Sequence, residues 1–443
     1  NLYEEKLYDY AYFDETTKLA NRNMLRKNLV QLLQNVGQTD RIAVFNIEMD
    51  NLRMINDTFG HNVGVQIVLK CVEILKSLMK ECCIISRVAE GKFVLVMPTT
   101  ESNEQLKERA RKIIDAFTHP ILLPDLDLEA LFVMVSVGIS LYPEDGGNAD
   151  TLIKNADLAG YEAKSADERI IFCSEQLKDR VEENTLMTHK LFRSLENQEF
   201  SLEFQPQISC STNKTVGIEA LLRWTTSDKK RIPPDKFIPI LEQTGLIHDV
   251  GLWVLDQALM EHNHLIANGF PPIRVSVNLS TVQFRRDDFV QNVADIIQKH
   301  GVDPKYVELE ITESMLAKNF ADTIDKLHQL KALGVKIAVD DFGKGYSSLH
   351  RLLLVPLDRI KIDKSIIDDV TFEAKKADIV KIIINLAKNL MLHITAEGVE
   401  TVDQADFMKD ISCDEIQGYY YSRPLKTDAL EEFLKISGVE VLN

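Results

Sequence analysis

From Phe200 onward the chain alternates short β-rich runs with amphipathic helical stretches: "FSLEFQPQI", "TVGIEALLRW", "IRVSVNLS", "YVELEITE", "VKIAVDDFG", "DRIKIDKS", "LHITAEGVE" and "EIQGYYYS". Strand, helix and strand repeated in this way imply parallel strands joined by helical crossovers, because a tight turn cannot close a parallel pair. Eight such runs match the strand count of a closed β/α barrel, with an open doubly wound sheet as the alternative. No other feature of the sequence restricts the fold as strongly.

The polar residues of these runs sit at their ends: Glu219, Asn278, Glu310 with Glu313, Asp340 with Asp341, Lys361, Glu397 with Glu400, and Gln417. In a β/α barrel the strand C-termini open on one face, so these side chains converge on one mouth. Taken singly, each has a plainer reading: a solvated Glu219, a helix-capping Asn278 or Asp340, a surface Lys361. Such endings in register on strand after strand do not. Crowded carboxylates with a single strand-end lysine cannot all ionise unless cations neutralise them. Oxygen ligands without His or Cys suit Mg²⁺ or Mn²⁺ rather than Zn²⁺, and an adjacent Asp pair can reach two ions ~3.5–4 Å apart. Such a site hydrolyses phosphodiesters. The following "FGKGYSS" gives either a tight turn at Gly343 and Gly345 or a loop that closes over substrate.

The first part of the chain, residues 1–172, mixes strands ("RIAVFNIEMD", "CIISRVAEGKFVLVMP", "LFVMVSVGISLYP", "RIIFC") with helices such as "ADTLIKNADLAGYEAKSA", the pattern of an α+β domain. Residues 173–196 read as a helical connector packed through Leu186, Leu191 and Leu195, and residues 197–443 form the barrel domain. Two domains fit a chain of 443 residues. The formal net charge of -17 argues against a nucleic-acid polymer as partner. The six cysteines show no CxxC spacing, which fits free thiols in a reducing cytoplasm and disfavours zinc. No stretch approaches the ~18 apolar residues of a membrane span. The opening "NLYEEKLYDYAYF" reads as the tail of a helix, so a cytoplasmic portion of a longer, sensor-linked or membrane-anchored protein is expected.

The barrel sequence resembles the EAL phosphodiesterases. "EALLRW" (Glu219 to Trp224) stands at the family's name-giving position, and "FQPQI", "FIPILEQTGLI", "VNLS", "ELEITES", "VDDFGKGYSSL", "IKIDKS", "AEGVET" and "QGYYYSRPL" follow the family's order from about Phe200 to Leu425. The resemblance implies a modified (β/α)8 TIM barrel in a cytoplasmic bacterial enzyme that hydrolyses cyclic di-GMP to linear pGpG with two divalent ions, Mg²⁺ or Mn²⁺. It makes Glu219, Asn278, Glu310, Asp340 and Asp341 metal ligands, with Glu397 supporting them. Lys361 would hold the attacking water and stabilise phosphate charge. Glu313 would anchor the loop after Asp341, Glu400 and Gln417 would complete the outer contacts, and Arg223 and Gln205 would touch the dinucleotide. Homodimerisation through the barrel is also implied. Lys344 replaces the usual Thr and Leu241 the usual Ala. The alternative is a non-catalytic cyclic di-GMP receptor that relays the signal to a protein partner, although such receptors usually lose metal ligands.

The first domain is similar to the GGDEF cyclases through "DETTKLANR", "NDTFGHNVG", "VSVGISLYPEDG" and "ADLAGYEAK". Its chemistry looks dismantled: "AEGKF" stands in place of GGDEF, so a metal Asp becomes Gly91 and the next Glu becomes Lys92. The other metal Asp is Glu48, a guanine-contacting Asp is Val65, and "KECC" (Lys80 to Cys83) replaces the inhibitory RxxD motif. A lysine among metal ligands repels cations, so no diguanylate cyclase activity is expected. Asn56 persists, which leaves GTP as a ligand of this domain open.

Overall fold

A computed structural model describes the chain except for residues 1, 36, 38–40, 80–82, 124–129, 314, 316–319, 344–352 and 441–443, and without the side chains of 2–5, 320 and 321. Lys344, Gly345 and most of the "KECC" segment therefore lie outside the described residues. The chain divides into two compact units, 1–183 and 184–443, and the division falls inside the helix Glu175–Leu191.

The first unit is built on a five-stranded sheet of order β2-β3-β1-β4-β5, from β1 Arg41–Met49, β2 Ile84–Ala89, β3 Lys92–Thr99, β4 Val135–Tyr142 and β5 Ile170–Phe172. β1 carries the apolar run "IAVFNI" and is central, pairing antiparallel with both β3 and β4. The helix Ala149–Ala163 starts at Asn148, whose side chain accepts from Thr151 N, and crosses the sheet at Gly138. A Cβ on Gly138 would stand 2.0 Å from Gly160 N, so this close crossing needs glycine. The start of the helix Glu175–Leu191 packs Leu177 against Ala159 and Cys173.

The second unit is a barrel of β6 Phe200–Ser209, β7 Thr215–Thr225, β9 Arg274–Asn278, β10 Val307–Thr312, β11 Lys336–Phe342, β12 Arg359–Ile362, β13 His393–Ala396 and β14 Glu415–Ile416, with the short β8 Arg231–Ile232 added alongside β7. From β7 through β14 every neighbouring barrel pair is parallel. β6 departs from the parallel expectation, because it runs antiparallel to both β7 and β14. The reason is chain length: residues 210–214 suffice for a hairpin, whereas a parallel crossover needs about a dozen. Between wall and helices the core is apolar throughout, with Trp224, Phe237, Ile218, Val275, Leu309 and Ile337 at most 1% exposed. Of the three leucines assigned to the connector, Leu191 is buried and Leu195 partly so, but Leu186 is exposed and Met187 takes the inward position. Met187 and Leu191 stand four apart on one face of the helix Glu175–Leu191, and Leu195 follows in the turn beyond its end. No helix among the described residues is long and apolar enough to cross a membrane.

Candidate active site

Lys361 is the hub of the barrel mouth. It lies in the four-residue β12 with its side chain 0% exposed, because the interior of a β/α barrel is filled by inward-pointing residues. Its Nζ is 2.5 Å from Glu310 Oε2, 2.6 Å from Glu397 Oε1, 3.1 Å from Glu219 Oε2 and 3.7 Å from Asp340 Oδ1. Residues remote in sequence, on β7, β10, β11 and just beyond β13, thus surround one ammonium.

The second aspartate joins them through a backbone irregularity. Successive side chains on a regular strand point to opposite faces, so Asp340 and Asp341 should diverge. Instead the β11–β12 register slips between Val339 and Phe342, and Asp341 takes φ +55°, a left-handed conformation that Asp tolerates better than most residues. Its N–H donates to Asp340 Oδ1 at 2.8 Å, which holds the bend. Oxygen atoms of Asp340, Asp341 and Glu397 consequently lie within 4.8 Å of one another. Gly343 N donates to Glu313 Oε2 at 3.2 Å, so Glu313 holds the chain just beyond the acid pair.

Electrostatics show how unbalanced the cluster is. Burial pushes the Glu310 carboxyl well above the usual carboxylate range, and the Glu219 charge adds to the shift. Burial likewise raises Glu397 to about 8. Burial also opposes the charge of Lys361, yet Asp340, Glu219, Glu310 and Glu397 outweigh it and hold the ammonium well above its ordinary value. Glu219 is lowered: its desolvation is overcome by Lys361 and by hydrogen bonds from Gln417 and Asn278. Glu310 Oε1 is buried without a hydrogen-bond partner among the described residues. A buried acceptor left unpaired beside several acids, in a donor set made of oxygen, fits a hard divalent cation.

The remaining candidates divide into two groups. Asn278 Nδ2 donates to Glu219 Oε1 at 2.6 Å; the helix cap that Asn278 could have supplied comes from Ser280. Gln417 Nε2 donates to Glu219 Oε2 at 2.5 Å and to Gln205 Oε1 at 3.1 Å, and its Oε1 accepts from Gln207 Nε2 at 3.0 Å. Among the described residues, Arg223 and Glu400 are not joined to this network. Arg223 Nε donates to Glu203 Oε2 at 2.7 Å, although Arg223 shares a cavity of about 320 Å³ with Asn278, Asp340 and Asp341. Glu400 pairs with Lys364 Nζ at 2.5 Å on the half-exposed rim.

Two features escaped the sequence reading. Glu203 and Gln207 join Gln205 as a polar series at alternate positions of β6, a period-2 signal for one strand face. A second charged layer lies two or four residues before the first: Arg274 Nη2 meets Glu415 Oε2 at 2.5 Å, and Arg359 reaches Glu308 Oε2 at 3.0 Å and Glu415 Oε2 at 2.8 Å. The signal was present as Arg274, Glu308, Arg359 and Glu415 each standing two or four places ahead of a mouth residue.

In the first unit, Glu48 at the end of β1 meets Lys164 Nζ at 2.7 Å and Lys92 Nζ at 3.4 Å. Lys92 also reaches Asp157 at 2.9 Å, and Asp50 pairs with Arg169 and accepts from Ser136 Oγ at 3.1 Å. Asn56 Nδ2 donates to Glu90 Oε1 at 2.9 Å. Gly91 has φ +67° in the turn before Lys92.

Comparison with known proteins places both units. The EAL domain family matches residues 188–424, and the family described as diguanylate cyclase, GGDEF domain, matches residues 11–169. The signaling protein YkoW of Bacillus subtilis is 34% identical over 438 residues, covering 97% of this chain and 54% of YkoW. The cyclic di-GMP phosphodiesterase NbdA of Pseudomonas aeruginosa is 34% identical over 431 residues, covering 97% of this chain and 54% of NbdA. The chain thus spans about half the length of these curated relatives. Among solved structures, the PaMucR phosphodiesterase in complex with c-di-GMP is 36% identical, with a TM-score of 0.54, over 55% of this chain and 99% of that one. The chain carries a GGDEF domain followed by an EAL domain, and with more than half its length matched it belongs to the EAL domain family.

Proposed function

We propose that the barrel hydrolyses cyclic di-GMP to linear pGpG. The observation that carries this reading is the charge deficit at the mouth among the described residues: there Lys361 faces Glu219, Glu310, Asp340 and Glu397 together, and Glu310 Oε1 has no hydrogen-bond partner. Glu219, Asn278, Glu310, Asp340, Asp341 and Glu397 would hold two divalent ions, Mg²⁺ or Mn²⁺. When bound, such ions lower the pKa of coordinated water and offset charge on the phosphate. Lys361 fixes the ends of Glu219, Glu310 and Glu397 and presents a permanent positive charge to the phosphodiester. Asn278 and Gln417 orient the Glu219 carboxylate, and Gln205 orients Gln417. Glu313 holds the segment beyond Asp341, and the cavity beside Arg223 receives part of the dinucleotide. The phosphodiesterase names of NbdA and the PaMucR structure support the choice of substrate. The test is incubation of the chain with cyclic di-GMP and Mg²⁺ or Mn²⁺; pGpG should accumulate, and Glu219→Ala should abolish it. Absence of product with both metals overturns the reading.

The GGDEF domain makes no cyclic di-GMP on this reading, because Lys92 and Lys164 already neutralise Glu48. Cyclic di-GMP formed from GTP would refute that. Asn56 remains as a contact for GTP, which equilibrium dialysis would detect. Homodimerisation through the barrel is supported by the helix Ala374–Asn389, which leaves Ile379 47% and Ile382 66% exposed. Sedimentation of Ile382→Asp against wild type tests it.

A further inference from the structure

The cavity that contains Arg223, Asp340 and Asp341 extends to the helix Pro234–Thr244, whose Ile238 and Glu242 line it one turn apart. Its walls are otherwise largely apolar, including Leu222, Ile247 and Val254. At about 320 Å³ it holds on the order of ten waters' volume, room for a bicyclic base. Most of its polar groups are committed elsewhere: Arg223 to Glu203, Asn278 to Glu219, and Asp340 and Asp341 to the acidic mouth. Glu242 is the further carboxylate. Its Oε1 accepts from Ser280 Oγ at 2.5 Å, and Ser280 is fixed as the cap of the helix Thr281–Phe284.

We infer that Glu242 is a specificity-determining residue that reads the guanine edge of the dinucleotide; this rests on the hydrolysis reading above. Guanine presents two adjacent donors, N1–H and the 2-amino group, which a carboxylate accepts together. Hypoxanthine lacks the amino group. Adenine carries an acceptor at N1 and would set it against the carboxylate. In an apolar cavity a mispaired carboxylate is penalised heavily, so one acidic side chain discriminates strongly between bases. Ser280 holds Glu242 in place as a positioning residue.

The experiment compares kcat/KM of the full chain for cyclic di-GMP, its inosine analogue and cyclic di-AMP, in wild type, Glu242→Ala, Glu242→Gln and Ser280→Ala. Wild type should prefer cyclic di-GMP over the inosine analogue by roughly tenfold or more, and over cyclic di-AMP by roughly a hundredfold or more. Glu242→Ala should shrink the guanine-to-inosine ratio by about tenfold, mainly through slower cyclic di-GMP turnover, with Glu242→Gln intermediate. Ser280→Ala should shrink it less. Equal losses on all three substrates would assign Glu242 a structural role and overturn the inference while leaving the hydrolysis reading intact. If no substrate turns over with Mg²⁺ or Mn²⁺, the hydrolysis reading fails. The same ratio of affinities, measured by calorimetry with Ca²⁺, then decides Glu242: a ratio insensitive to Glu242→Ala overturns the inference.

Discussion

Both units gather acids near strand ends, but they neutralise them differently. In the GGDEF domain, Glu48 meets Lys92 and Lys164, and Asp50 meets Arg169. Cations and acids there are nearly matched within the chain. In the EAL domain, Lys361 faces Glu219, Glu310, Asp340 and Glu397, with Asp341 beside them. A strand-end acid is therefore not in itself a metal site. What distinguishes the two, among the described residues, is whether each carboxylate has a cation of the chain beside it or several carboxylates share one.

The largest effect should come from removing a charge where the deficit is greatest. Glu310→Gln keeps the side-chain shape but removes the unpartnered acceptor, so the metal-free chain should melt at or slightly above the wild-type temperature. Its hydrolysis of cyclic di-GMP should fall by on the order of 10³, about 4 kcal/mol, and the Mn²⁺-induced rise in melting temperature should largely vanish. Calorimetry with and without Mn²⁺ measures both arms. A full Mn²⁺ stabilisation in Glu310→Gln would break the comparison, because the barrel cluster would then not need its whole acid set.

The lower layer of the same barrel extends the comparison, since there two arginines match two glutamates. Burial would raise the Glu308 carboxyl, but Arg274 and Arg359 outweigh it and lower Glu308 to about 2. A depressed folded pKa contributes stability that is fully present above the unfolded carboxyl value of 4.5 and is lost as pH falls toward about 2. Unfolding midpoints in urea should decline across that window. Glu308→Gln should cost roughly 3–5 kcal/mol at neutral pH by leaving buried guanidinium charge uncompensated, and should flatten the decline. A variant as acid-sensitive as wild type would assign the slope to other carboxylates.

In the GGDEF domain, Lys164→Met removes one internal cation from a partly buried pair. It should destabilise the domain by about 1–2 kcal/mol, and millimolar Mn²⁺ should restore part of the loss by replacing the missing charge. Thermal melts of wild type and variant with and without Mn²⁺ test this. Loss without any Mn²⁺ rescue would mean that the acids of this domain, once exposed, no longer form a cation site.

Much of this contrast was legible in the sequence. The eight runs, their order and their polar endings came from period and punctuation, because parallel strands joined by helices leave a strong pattern. The gathering of Glu219, Glu310, Asp340 and Lys361 followed from topology alone. The reversed β6 was written in the short stretch between Ser209 and Thr215, yet a count of strands does not weigh loop length. The turning of Asp341 toward Asp340 was not legible, because it depends on a bulge and a positive φ that strand alternation does not encode. The commitment of Arg223 to Glu203 and of Glu400 to Lys364 was hidden for another reason: side chains with several reachable partners choose by local geometry, which sequence spacing does not fix.

The smallest effect sets the lower bound of the argument. Arg26 and Asp150 form a two-pronged pair, Nε to Oδ1 at 2.7 Å and Nη2 to Oδ2 at 2.9 Å, with geometry as good as any at the barrel mouth. Their side chains are 60% and 64% exposed, however, so water already satisfies both charges and salt screens their attraction. Arg26→Gln should therefore leave stability almost unchanged at low salt and wholly unchanged in molar salt. Denaturant titrations at low and high ionic strength measure it. A loss comparable to that of Lys164→Met would mean that pairing geometry, rather than burial, governs what a missing cation costs in this protein, and the contrast between its two acid clusters would need a different physical basis.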